Sequence, residues 1–155
     1  MQTFQINTKE KREATGDLFG IFFEDINHAA DGGLYAELIQ NRAFEFDQID
    51  NKKYHALYAW MSCQLDEKNG QVDAADVSLT ILTDSPYTKK NPHYLRITAN
   101  SAYAGVKNLG FNSGISLEGG ERYHFSCYLR KVDEPVKVKA CLIGKEGQIY
   151  ASCEI

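Results

Sequence analysis

The pattern of apolar and polar residues changes character once along this chain, near residue 46. Before that point Leu18-Phe19-Gly20-Ile21-Phe22-Phe23 forms a continuous apolar run that stops abruptly at Glu24-Asp25. A strand with one wet face alternates, whereas a strand buried on both faces, as in parallel sheets, is apolar throughout. A loop with Asn27, His28 and Asp31 follows. Residues 33–42 then place Leu34, Tyr35, Leu38 and Ile39 on one helical stripe, with Asp31 positioned as its N-cap. The pattern predicts one strand–loop–helix unit.

From about residue 70 the period becomes two. Residues 77–83, 93–99, 123–131, 136–143 and 148–154 alternate or nearly do so. In the third of these, Tyr123, Phe125, Cys127 and Leu129 share one face, and His124, Ser126, Tyr128 and Arg130 share the other. Glycine turns are expected at Glu118-Gly119-Gly120 and Lys145-Glu146-Gly147. Short antiparallel strands joined by such turns predict a mainly β chain, an antiparallel β-sandwich of jelly-roll type. A lone strand–helix unit cannot bury both faces of its strand, and a sandwich of this kind uses about seven strands or more. The expectation is therefore a piece of a longer protein, with its sandwich truncated at the C-terminus.

Composition narrows the function classes. A net charge of −4 on 155 residues leaves no basic stripe for nucleic acid. No apolar stretch is long enough for a signal peptide or a membrane span. The expectation is a cytoplasmic protein, or a secreted one whose leader has been removed. Cys63, Cys127, Cys141 and Cys153 form no C-x-x-C pair and read as reduced thiols packed like small apolar side chains. The four histidines (28, 55, 93 and 124) lack the spacing of a metal site, so neither metal nor cofactor is expected.

The stretch from Leu18 to His28, followed by Gly32-Gly33-Leu34-Tyr35-Ala36-Glu37-Leu38-Ile39-Gln40-Asn41-Arg42, closely resembles glycoside hydrolase family 51. Within that family it is similar to α-L-arabinofuranosidases that carry a carbohydrate-binding-like module inserted after the first barrel helix. His93-Tyr94-Leu95-Arg96-Ile97, Gly105-Val106-Lys107-Asn108 with Gly110-Phe111, and Tyr123-His124-Phe125-Ser126 resemble that module. The resemblance implies that residues 1–46 begin a catalytic (β/α)8 barrel, an incomplete one here, and that residues 47–155 form the inserted sandwich. It implies hydrolysis of terminal α-L-arabinofuranosyl residues with retention, on an arabinose-containing polysaccharide or oligosaccharide.

In the family the glutamate matching Glu24 holds the sugar hydroxyls, a task suited to a two-oxygen acceptor. Asp25 points to the opposite side of the strand and is expected to make a loop or helix contact. The catalytic pair of glutamates belongs to later barrel strands, so no catalytic residue is expected within residues 1–155. Plainer readings stand beside these. From composition alone Glu24 reads as a solvated strand-end acid, and Asn27 and His28 read as loop formers. Among Tyr58, Trp60, Tyr87, Tyr103 and Phe111, the residues Trp60 and Tyr103 are candidate sugar platforms, although aromatics also fill sandwich cores. Some relatives hold a structural calcium, for which Glu45 is the place to look, but one carboxylate does not make a calcium site. Unpaired sheet edges leave self-association open. A non-catalytic carbohydrate-binding module is the alternative function, and an adhesion-type sandwich a third.

Overall fold

The computed structural model describes Lys9, Gly16 and residues 20–66, 70–72, 76–130 and 136–155. Among the described residues there are seven strands and no helix: β1 (Trp60–Asp66), β2 (Gly70–Val72), β3 (Val77–Leu82), β4 (Tyr94–Ala99), β5 (Ala104–Asn108), β6 (Lys139–Ile143) and β7 (Ile149–Glu154). Every pairing is antiparallel. The strands form a three-stranded sheet in the order β2-β1-β5 and two hairpins, β3-β4 and β6-β7. The three-stranded sheet adjoins the β3-β4 hairpin, through β1 with β3 and β4 with β5. This is a mainly β, antiparallel arrangement of the kind that sandwiches are built from.

Alternation located β3, β4, β6 and β7 to within a few residues. The β6-β7 turn is the expected one: Gly147 takes φ +87°, and its N–H donates to the Gly144 carbonyl at 2.9 Å. Gly120 likewise takes φ +93° in the turn after Glu118. Three elements were not resolved by alternation. β1 and β5 pair from Trp60↔Asn108 to Gln64↔Ala104, yet neither carries a clean period-two pattern, and β2 spans only three residues.

Three expectations are corrected. Residues 20–26 form no strand, and Ile21 and Phe22 are 96% and 87% exposed; Leu18 and Phe19 lie outside the described residues. A strand of this composition is held by neighbours on both edges and layers on both faces, and no described residue supplies them. Residues 33–42 are not helical. Instead the Leu34 and Tyr35 N–H groups donate back to the Ala29 and Ala30 carbonyls at 2.8 and 2.9 Å, Asp31 bridges Tyr35 rather than capping a helix, and Gly32 sits at φ +90°. A ten-residue helix draws its stability from packing of its apolar stripe, and Leu34, on that stripe, is exposed. Residues 121–130 join no ladder either, and Tyr123, Phe125 and Leu129 are exposed. A strand pattern describes fitness for a half-buried sheet surface and needs a partner strand to become one.

Cys63 is the buried apolar side chain among the described residues; Cys127 and Cys153 are exposed, and all four thiols are free. Burial pushes the Cys63 thiol above its ordinary range. No helix among the described residues is long and apolar enough to cross a membrane.

Candidate functional site

The described part of the N-terminal motif is carried by a loop, residues 20–46, that is pinned onto the three-stranded sheet. Asn41 is the pin. It is 2% exposed and sits at φ +53°, a left-handed conformation that Asn tolerates better than most residues. Its side-chain amide donates to the Ala56 and Tyr58 carbonyls at 2.8 and 3.1 Å, and its side-chain oxygen accepts from the Phe46 N–H at 3.2 Å. Its own carbonyl accepts from the Trp60 indole N–H at 2.9 Å. One residue earlier, Gln40 exchanges two hydrogen bonds with Asn108 at the end of β5: its N–H donates to Oδ1 at 3.2 Å, and its carbonyl accepts from Nδ2 at 2.9 Å. Asn108 Oδ1 also accepts from the Gly110 N–H at 2.9 Å.

Glu24 and Asp25 stand at the free end of this loop. The Glu24 side chain is exposed, and among the described residues it makes no hydrogen bond or ion pair. The Asp25 carboxylate is engaged: it accepts from the Ala30 N–H at 2.9 Å and so steadies the turn that follows. The two neighbours therefore differ in their hydrogen bonding. Further along, the Glu37 carboxylate accepts from the Ile39 N–H at 2.8 Å and pairs with the Arg42 guanidinium at 3.3 Å, while Arg42 also lies over the Tyr35 ring at 4.9 Å. Glu45 faces His93, with Oε2 and Nδ1 2.6 Å apart, and its other oxygen accepts from the His93 N–H at 3.4 Å. No group of three or more potential metal ligands occurs among the described residues.

The aromatic positions divide by environment. Trp60 is half-buried, with its indole donor committed to Asn41 and its ring 5.2 Å from Phe44. A ring in that setting is anchored and its donor is spent. Tyr58 packs with Phe46 and Tyr54, and burial among these rings raises the Tyr54 phenol above its ordinary range. Tyr103 is exposed at φ +60°, and its backbone carbonyl accepts from the Leu65 N–H at 3.0 Å. Tyr87 and Tyr128 stack on each other at 4.0 Å, both exposed. Beside them Arg130 lies over the Tyr94 ring at 5.1 Å, and the Tyr94 hydroxyl donates to Asp84. Tyr128 and Arg130 are both exposed here, on the face that alternation had left polar.

Sequence reasoning quoted Gln40, Asn41 and Asn108 within motifs but gave them no role. The available signal was chemical: side-chain amides hydrogen-bond local backbone and tolerate left-handed geometry, which suits them to pinning a loop.

No family model matches the chain, and no solved structure matches it. Among curated proteins it is similar to an extracellular exo-α-L-arabinofuranosidase of Streptomyces chartreusis, 43% identical over 115 residues, covering 73% of this chain and 12% of that protein. It is similar to α-L-arabinofuranosidase 2 of Arabidopsis thaliana, 30% identical over 98% of this chain and 22% of that protein. α-L-Arabinofuranosidase 1 of the same plant is 32% identical over 84% of this chain and 18% of its own length. By sequence, then, this chain belongs with the α-L-arabinofuranosidases, spanning between 12% and 22% of the length of these relatives.

Proposed function

We infer that this chain is part of a retaining α-L-arabinofuranosidase that removes terminal non-reducing α-L-arabinofuranosyl residues from arabinose-containing polysaccharides or oligosaccharides. Residues 1–46 would open its (β/α)8 barrel, and residues 47–155 would form a carbohydrate-binding-like jelly-roll sandwich. The observation that carries the reading is the agreement in name of relatives from a streptomycete, a plant and a fungus. The exposed apolar stretch with Ile21 and Phe22 supports it, because neighbouring barrel strands are what would cover such a surface. In this reading Glu24, unpartnered and exposed, accepts hydrogen bonds from two sugar hydroxyls, and Asp25 holds the loop through Ala30. Retention needs two carboxyl groups about 5–5.5 Å apart, one as nucleophile and one as acid/base. We assign that pair to parts of the enzyme other than residues 1–155, so this chain alone is expected to be inactive.

The test is made on the full-length enzyme with an aryl α-L-arabinofuranoside. Glu24→Gln removes a charge-assisted hydrogen bond and should lower kcat/KM by about ten- to a hundredfold. Asp25→Asn should chiefly lower the melting temperature, since its partner is a backbone amide. Near-normal kinetics for Glu24→Gln, with Asp25→Asn crippled, would reverse the two roles. Arabinan binding by a full-length protein that releases no arabinose would favour a non-catalytic carbohydrate-binding module, the second reading that the strand-rich residues 60–155 support.

A further inference from the structure

The N-terminal loop meets the turn after β5 around an open cleft of about 460 Å³, lined by Gly32, Leu38 and residues 111–116. Two features hold its walls. Phe111 packs over Gly32, where an added Cβ would come within 3.0 Å of the ring, and its centroid lies 5.0 Å from that of His28. Asn112 and Ser113 take φ +52° and +85°, the signature of a type I′ turn, closed by the Gly114 N–H donating to the Phe111 carbonyl at 3.3 Å. Gly110 permits this closure, because a Cβ there would meet the Gly114 backbone at 2.7 Å.

The chemistry of the lining is selective. It offers one aromatic ring, the aliphatic Leu38 and Ile115, and the neutral polar side chains of Asn112, Ser113 and Ser116, with no charged residue. Those three residues are exposed, and among the described residues their side chains make no hydrogen bond to protein, so a ligand would meet donors and acceptors that face solvent. An anion finds no cation here, and a purely apolar ligand would displace water from three polar groups without replacing its hydrogen bonds. A neutral polyhydroxylated ring with an apolar face satisfies both parts, and the volume falls in the roughly 300–1,000 Å³ range of small-molecule sites.

We propose that this cleft is a neutral-sugar subsite in which the turn after β5 supplies Phe111 as the stacking surface and Asn112 as the hydroxyl-binding group. The strand-rich part of the chain thus contributes directly to sugar recognition beside the loop that carries Glu24. That the sugar is an arabinofuranose rests on the function proposed above; the cleft itself does not.

The experiment is a titration of the full-length enzyme with α-1,5-linked arabinotriose, followed by proton–nitrogen correlation spectra, with maltotriose and inorganic phosphate in parallel. Saturable shifts should appear at Gly32, Leu38, Gly110 and the amides of residues 112–116, and none with phosphate. Phe111→Ala should weaken binding about tenfold. Asn112→Gly keeps the turn, because glycine accepts positive φ, and should weaken binding severalfold without altering the dispersion of the spectrum. Tyr87→Ala should bind normally. Maltotriose saturating these amides while arabinotriose does not would keep the sugar subsite and sink the arabinofuranosidase reading. The proposal itself is overturned by no saturable shift with either sugar, by shifts gathered at Trp60, Tyr103 or the Tyr87–Tyr128 pair, or by wild-type affinity in Asn112→Gly.

Discussion

Asn41 does more than any other described side chain to decide where the N-terminal loop sits. Asn41→Ala strips hydrogen bonds from the Ala56, Tyr58 and Phe46 backbone and places a Cβ-bearing residue without compensation at φ +53°. The expected loss is about 2–4 kcal/mol, read by equilibrium urea unfolding. Asn41→Gly relieves the backbone cost and should recover about 1 kcal/mol of it. A residue-scale effect of pH belongs to Asp84. The Tyr94 hydroxyl bound to its carboxylate, helped by nearby Arg96 and Arg130, holds it below the ordinary value near 3.8. A depressed folded-state value means that the contribution is present above the unfolded value and is lost as pH falls through the folded one, below about pH 4. Tyr94→Phe should return Asp84 to the ordinary carboxylate range and shift its titration upward, as followed by carboxyl-carbon NMR.

Elements closed by local pairing were the ones legible in the sequence. β3-β4 and β6-β7 announce themselves because both partners alternate and follow each other in sequence, and at β6-β7 the expected glycine turn joins them. β1 and β5 did not, since their pairing joins residues far apart in sequence, and Trp60, Cys63 and Gly105 break the polar–apolar rhythm. The strand at 18–23 and the helix at 33–42 failed for a different reason. Their patterns describe surfaces that need covering layers, and the loop adopted by residues 29–35 satisfies its backbone without them. As for the site, Glu24 and Asp25 were read from the motif, but the pinning amides and the cleft were not, because both arise from contacts between distant segments. The tight loop gives a sharp test. In Gly33→Ala the new Cβ would lie 2.3 Å from the Ala29 carbonyl oxygen, whereas in Gly105→Ala it would meet nothing within 4 Å. The first should cost about 1–3 kcal/mol and the second should be neutral or slightly stabilising, compared by urea midpoints.

At the scale of the whole molecule, β7 is exposed along its full length, with one edge unpaired among the described residues. Such an edge is a template for another copy. Sedimentation velocity should show heavier species growing with concentration, and Ala151→Lys, which adds a charge on β7, should suppress them. A monomer at every concentration would show that the edge is no template. The pairing of Trp60 with Asn108 also sets an order in time. Hairpins such as β6-β7 need only a short loop to close and form within microseconds, whereas joining β1 to β5 requires the intervening chain to be gathered first, at a cost in closure entropy. Assembly of the three-stranded sheet is then the slow event, and the N-terminal loop docks late, since Gln40 and Asn41 find their partners only after Asn108 and Trp60 have met.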